Sequence, residues 1–279
     1  MDYARVNREA TLPSIVAHFK NESIDISVPS LRKILSAAGL KRYKKLRKPY
    51  LDEKRKETRM NYVQSHAVLD WRKGIYTDEA SLTLDGHVDS FVTCTAQERL
   101  QAPFLAVARK PGYKSVMVWA AIWHGGRTEL HVFDTSESTS KRKGVNSTIY
   151  RNQVVNGPLL QAWHDVKALW PEDDEVFVLE DNCRVHTAKI CRVAGQDSGM
   201  VYINHPANSP DLNPIEHAWA ALKKSLYTMR PLATTLEQQV ARAKEIWRNM
   251  DQAFLDKLID SMPRRMEACA NAGGGATKY

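Results

Sequence analysis

The chain has 279 residues, 43% of them hydrophobic and 26% charged, which is enough for one sizeable core and a small accessory domain. No apolar run approaches the roughly 18 residues of a membrane span, and the opening MDYARVNREA lacks the apolar segment of a secretory signal. The four cysteines, Cys94, Cys183, Cys191 and Cys269, show no C-x-x-C spacing and point to reduced thiols rather than zinc ligands or disulfides. The net charge of +8 is uneven: residues 1–73 hold 17 Lys/Arg against 8 Asp/Glu, leaving 23 against 24 for residues 74–279. A basic front on a near-neutral body suggests a nucleic-acid-binding arm ahead of a catalytic or interaction domain.

Along the front, Leu12, Ile15, Val16 and Phe19 recur at helical spacing, and Leu31, Ile34, Leu35 and Ala38 repeat the pattern between Pro29 and Gly39. Two short amphipathic helices joined by NESIDISV predict a helix-turn-helix, the second helix presenting Ser30, Arg32 and Lys33 to a major groove. Six of the eight residues in KRYKKLRK, Lys41–Lys48, are basic (Lys41, Arg42, Lys44, Lys45, Arg47, Lys48), and Pro49 stops a helix there. Such an arm suits phosphates or a minor groove, and equally a nuclear-import tract. From Asp52 to Trp71 a linking helix is expected, with Met60, Val63, Ala67 and Trp71 on one face.

The body begins with a predicted strand, Ile75–Leu84. Alternation puts Tyr76, Asp78, Ala80, Leu82 and Leu84 on one face, and of these only Asp78 is charged. A carboxylate on a buried face is costly without a partner, and a cation is the obvious one. Residues 87–114 lack a period and read as a long excursion from the sheet. Val116–Trp123 and Leu130–Phe133 predict two more strands. Ile149–Trp170 predicts a helix that Gly157-Pro158 breaks or kinks. Strand 176–179, a helix over about Thr187–Ala194, strand 200–203 and a helix led by Pro214 follow. This order predicts a mixed α/β sheet of the ribonuclease-H kind. Leu236, Val240, Ala243 and Trp247 then mark one C-terminal helix and Phe254, Leu255 and Leu258 another, before the frayed NAGGGATKY.

Each notable carboxylate has an innocent reading. Asn213-Pro214-Ile215-Glu216 fits a capping box, Asp181-Asn182 a polar turn after a strand, and Asp78 an ordinary ion pair. Together they read differently. Asp181 directly follows a strand, and Glu216 comes after a gap of 34 residues, past another strand and a loop. Both therefore belong near one sheet edge, where open α/β folds keep their sites. With Asp78 they form an all-oxygen donor set for hard divalent cations, Mg²⁺ or Mn²⁺, whose shells keep room for water and phosphate. Two such ions would serve phosphodiester chemistry on the polyanion held by the basic front. His186, five residues beyond Asp181, either orients a site group or is a packed or solvated histidine.

Three segments, IYTDEASLTL, VFVLEDNCRVHTAK and HPANSPDLNPIEHAWAALKK, resemble the catalytic signatures of Tc1/mariner-type transposases, S-P-D-L-N-P-I-E-H being the most specific. KSVMVWAAIW resembles the second strand of that family and the front its second helix-turn-helix unit, so the likeness spans nearly the whole chain. The Glu-terminated spacing matches the Tc1 branch. Cys183-Arg184 stands where the family more often has small residues and proline, Ala120 replaces a common Gly, and there is room for one helix-turn-helix before Asp52.

The resemblance implies a ribonuclease-H-like DDE domain in which Asp78, Asp181 and Glu216 bind two Mg²⁺ or Mn²⁺ ions. It implies cleavage at transposon ends, transfer of the freed 3′ hydroxyl into target DNA at TA sites, and a homodimer, nuclear if the source is eukaryotic, gripping inverted repeats on double-stranded DNA. The corresponding organisation is a helix-turn-helix segment with basic arm (1–50), a linker helix (51–73) and a catalytic domain (74–230) with a clamp-loop-like excursion at 87–114. C-terminal helices (231–270) and a flexible tail (271–279) complete it. The alternatives are a catalytically idle or domesticated DNA-binding derivative and a structure-selective nuclease on the same fold.

Overall fold

The computed structural model describes residues 3, 7, 10–40, 50–84, 115–138, 144–171 and 174–279. Basic residues 41–48 and the 87–114 excursion lie outside the described residues. Two compact units form, Met1–Lys48 and Pro49–Tyr279.

In the first unit, α1 (Leu12–Asn21) and α2 (Val28–Ala37) bury Leu12, Ile15, Leu31 and Leu35 against one another. Both helices start on hydroxyl caps: Thr11 Oγ1 accepts from the Ser14 amide and Ser27 Oγ from the Ser30 amide, each at 3.2 Å. Both end in a left-handed residue. After α2 it is Gly39 at φ +73°, with the amides of Gly39 and Leu40 turning back to the carbonyls of Ser36 and Leu35. After α1 it is Ser23 at φ +61°. Ile34, expected on the buried face, is instead 47% exposed, because the contact with α1 is centred on Leu31 and Leu35.

The second unit opens with α3 (Glu53–Ser65) and a 3₁₀ turn at Trp71–Lys73. The expected linker-helix face is corrected here. The helix ends at Ser65, Ala67 is exposed beyond it, and the fully buried positions are Arg59 and Tyr62. The apolar pattern misled because the deepest residue of this helix is an arginine whose charge is paired elsewhere in the chain.

The sheet runs β3-β2-β1-β5-β6, with β4 also pairing β2. Its strands are β1 (Gly74–Thr83), β2 (Ser115–Trp123), β3 (Gly126–Arg127), β4 (His131–Val132), β5 (Phe177–Glu180) and β6 (Tyr202–Asn204). β1 is antiparallel to β2 and parallel to β5, and β5 is parallel to β6. The short β3, turned through Gly125, was not foreseen. β4 lies antiparallel to β2 as the meander predicts, with Val118 opposite Val132.

Alternation sorts the strands between two cores. Tyr76, Ala80, Leu82, Val118, Ala120, Ile122 and Leu179 face one side. There they meet α7 (Ile215–Thr228), α8 (Leu236–Arg248), α9 (Gln252–Ile259) and α10 (Met262–Asn271), with Trp219 and Trp247 stacked at 5.1 Å. Ile75, Trp119, Ala121 and Val178 face the other side, against α4 (Ser147–Tyr150), α5 (Leu160–Lys167) and α6 (Lys189–Asp197). The expected break at Gly157-Pro158 appears as a widened π segment, Arg151–Leu159, in which Gly157 leaves helical geometry at φ −128°, ψ −112°. Helix α6 begins later than foreseen because Cys183–Thr187 first make a tight turn, the His186 and Thr187 amides both bonding to the Cys183 carbonyl.

Residues 271–279, expected as a flexible tail, also differ. Gly274 and Thr277 are buried, and Gly274 sits at φ +75° against the backbone of α3, where a Cβ would run into the Lys56 carbonyl. Their low hydrophobicity reads as disorder, but what fixes them is backbone hydrogen bonding to a buried arginine.

Candidate active site

Strand register explains how Asp78 and Asp181 come together. β1 and β5 pair in parallel from Gly74 with Phe177 to Tyr76 with Leu179. Asp78 and Asp181 each lie two residues past that last pair, Asp78 in the middle of β1 where its parallel pairing has ended and Asp181 just beyond the carboxyl end of β5. Helix α7 brings Glu216 to the same place in its first turn, where the helix dipole favours a negative group. The three carboxylates line one cleft of about 480 Å³ with Asn182, Cys183, Asn213 and the loop His205–Pro210.

The capping box is not formed. Pro214 is already helical, and Asn213 Oδ1 accepts from the Ile215 amide at 3.4 Å. The Asn213 amide itself bonds to the Pro210 carbonyl, so Glu216 has no capping partner there and turns to the cleft. Asn213 Nδ2 donates to the Thr77 carbonyl at 3.2 Å, fastening the start of α7 beside Asp78. Trp219, one turn past Glu216, donates from Nε1 to Asp78 Oδ2 at 3.2 Å. Neither Trp219 nor Asn213 was singled out as a site residue, although the Glu216/Trp219 spacing of three puts both on one helix face.

The carboxylates differ in charge environment. Burial drives the Asp78 pKa up to about 8, with further contributions from Glu216 and Glu79. Ala120, opposite Asp78 in the ladder and fully buried, adds a methyl to those apolar surroundings. Glu216 is likewise raised by burial and by Asp181, with Lys223 partly opposing. Asp181 moves the other way. Burial would raise it, but the His186 hydrogen bond, the Cys183 amide and the imidazolium charge hold it below the ordinary carboxylate range.

His186 is buried and bridges two acids, Nδ1 to Asp181 Oδ1 at 2.8 Å and Nε2 to Glu79 Oε1 at 3.1 Å. Burial alone would discharge this ring, yet its two carboxylates lift its pKa to about 12. His186 is thus both packed, with its ring 4.4 Å from that of Tyr150, and placed to orient Asp181. Glu79 was missed because alternation points it to the other side of β1, where His186 lies.

The donor set suits a hard divalent cation. It is all oxygen, open to water, and carries mutual repulsion at Asp78 and Glu216 that, among the described residues, no side-chain cation lining the cleft neutralises. Among the described residues no three His, Cys, Asp or Glu side chains close into a compact coordination group. The carboxylates line a cleft that water and phosphate oxygens would complete. Ser30, Arg32 and Lys33 lie together on the exposed surface of α2, with the Ser30 hydroxyl 2.9 Å from the capping Ser27 hydroxyl.

Residues 115–237 match the family described as DDE superfamily endonuclease, and residues 1–68 match a Tc3-type helix-turn-helix family described as transposase. The Tc1 transposable-element transposase of Caenorhabditis elegans is 29% identical over 279 residues, covering 98% of this chain and 95% of that protein. The Tcb2 transposase of Caenorhabditis briggsae is 25% identical over 277 residues, with the same coverage. Among solved structures, a pre-cleavage Mos1 transpososome superposes with a TM-score of 0.77 at 18% identity, over 99% of this chain and 78% of that one. The Mos1 mariner paired-end complex with Mn gives 0.76 at 20%, with the same coverage, so the ribonuclease-H-like fold is shared. With a Tc3-type front, a DDE endonuclease body and Tc1 relatives along its length, the chain belongs to the Tc1/mariner-type DDE transposases.

Proposed function

We propose that this transposase cuts transposon ends in a divalent-metal-dependent reaction and joins the freed 3′ hydroxyl to target DNA at TA sites. The observation that carries the proposal is the meeting of Asp78, Asp181 and Glu216 in one cleft, two at equivalent register positions of neighbouring strands and one on the first turn of α7. A pair of Mg²⁺ or Mn²⁺ ions held there would supply charge neutralisation for both the attacking and the leaving oxygen of a phosphodiester. The chain's own groups set up that chemistry. His186 pins one oxygen of Asp181 and leaves the other to the cleft. Trp219 holds Asp78, and Asn213 ties the turn before Glu216 to β1.

The inverted repeats are held by the front unit, through Ser30, Arg32 and Lys33 at base edges and phosphates and through Lys41, Arg42, Lys44, Lys45, Arg47 and Lys48 along the backbone. A homodimer would pair two transposon ends, and genomic DNA as substrate places the protein in the nucleus. The superposable Mos1 structures, paired-end complexes with a left transposon end, with Mn and with Mg, support the same reading.

The test is nicking of a duplex carrying the element's own inverted repeat. Cleavage should require Mg²⁺ or Mn²⁺, and Asp181→Asn should abolish it while leaving a salt-dependent gel shift intact. Cleavage surviving in Asp181→Asn would remove the site. Binding without any cleavage in Mn²⁺ would favour an idle, domesticated derivative.

A further inference from the structure

Five residues before Glu216, the turn Pro210–Leu212 is held from outside by a buried polar clasp. Arg59 of α3 grips the Asp211 carboxylate with both ends of its guanidinium fork, Nη1 to Oδ1 and Nη2 to Oδ2, each at 2.8 Å. Its remaining donors go to residues 274–275: Nε to the Gly274 carbonyl at 2.8 Å and Nη2 to the Gly275 carbonyl at 3.2 Å. Thr277 adds its hydroxyl to Asp211 Oδ2 at 2.8 Å.

From the other side, Arg265 of α10 donates to the Asp211 carbonyl at 2.7 Å and to His217 Nδ1 at 3.0 Å, while Tyr279 packs edge-on to His217. The clasp therefore grips both flanks of Glu216, the turn before it and the residue after it. Within those flanks Asn213 reaches the Thr77 carbonyl beside Asp78. Pro210 and Asn213 belong to the cleft, but the gripping residues Arg59, Asp211, Arg265, Gly274 and Thr277 are absent from its lining.

We propose that Arg59, Asp211, Arg265 and the segment Gly273–Tyr279 are positioning residues for Glu216, setting the affinity of the carboxylate cleft for divalent cations. The inference rests on the metal-site reading above. Residues behind a ligand commonly govern metal affinity because they fix where the ligand's oxygens point. The segment that looks most dispensable, GGGATKY, thus becomes part of the metal site without contributing a ligand.

Two substitutions reach the clasp without removing a charge. Gly274→Ala pushes the segment off α3, since the alanine Cβ meets the Lys56 backbone at a positive φ. Thr277→Val deletes one hydroxyl from Asp211. Val154→Ala, in the core on the far side of the sheet, serves as a control for stability alone.

The experiment is titration of the full-length protein with Mn²⁺, free ion being read by electron paramagnetic resonance, alongside Tm. Gly274→Ala should weaken Mn²⁺ binding by about tenfold, within the range for residues behind a ligand. Thr277→Val should weaken it less, and Thr277→Ser should restore it. Val154→Ala should lower Tm yet bind Mn²⁺ like the unaltered chain. Cleavage by Gly274→Ala should recover as Mg²⁺ is raised. Unchanged Mn²⁺ affinity in folded Gly274→Ala or, should that variant not fold, in Thr277→Val would overturn the proposal. Absence of Mn²⁺ binding by the unaltered chain would overturn the metal reading as well.

Discussion

Asp211, in the turn Pro210–Leu212, and Glu216, in the first turn of α7, lie five residues apart and are treated in opposite ways. Asp211 is neutralised completely: an arginine fork, a threonine hydroxyl and burial enclose it. Glu216 and its neighbour Asp78 are half-buried like Asp211, yet among the described residues the cleft lining offers them no guanidinium or ammonium partner, and both are pushed toward protonation. A fold that can place an arginine so exactingly at Asp211 and leaves the next carboxylates unpaired is tolerating repulsion for a reason outside its own stability. Structural acids are recognised by what satisfies them, functional acids by what is left to an absent partner.

Equivalent substitutions at the two places should therefore have opposite consequences. Asp78→Asn should lower cleavage by on the order of a thousandfold, several kcal/mol of lost charge stabilisation. It should also raise Tm by a few degrees without divalent ions, because an amide bonded to Trp219 is cheaper to bury than a charge beside Glu216. A falling Tm would contradict this account.

Arg59→Ala should do the reverse of Asp78→Asn to stability. Breaking a buried pair typically costs roughly 3–5 kcal/mol, which at about 2–4 °C per kcal/mol for a unit of this size lowers Tm by roughly 10 °C. A calorimetric scan checks it, and a shift of only a degree or two would show that water substitutes for the guanidinium.

The same pair gives a smaller pH effect of defined sign. Burial would raise Asp211, but the Arg59 hydrogen bonds and charge hold it below its ordinary value of 3.8. A carboxylate depressed in the folded state contributes stability that is complete above the unfolded pKa and is lost as pH falls through the folded one. Stability should thus drop more steeply below about pH 4 in the unaltered chain than in Asp211→Asn. Parallel acid-unfolding curves would refute this.

The smallest effect belongs to the front unit, where no such buried charge exists among the described residues. Lys33→Ala should weaken DNA binding nearly uniformly across sequences and reduce the salt slope by about one unit. A change in sequence preference instead would make Lys33 a base reader.

How much of this was legible beforehand divides along the same line. Both front helices, the strand order, the Gly157-Pro158 irregularity and the carboxylate trio follow from local patterns: apolar period, turn residues and motif spacing. Ile34 was misplaced because a helical face is only as wide as the partner that covers it, and Ala67 because the helix stops at Ser65. The capping box at Asn213 was a sound local reading that failed because the Asn213 amide found a closer acceptor in Pro210.

The sequence by itself determined which residues are apolar in phase, where the chain must turn and which acids fall in or beside strands, since each depends on neighbours within a few positions. Only the tertiary structure decided which acids are satisfied. Arg59 meets Asp211 across 152 positions and the Gly274 carbonyl across 215, and His186 meets Glu79 across 107. No local period records such distances. Charge pairing depends on proximity in space, and burial in the folded unit sets what each unpaired charge costs.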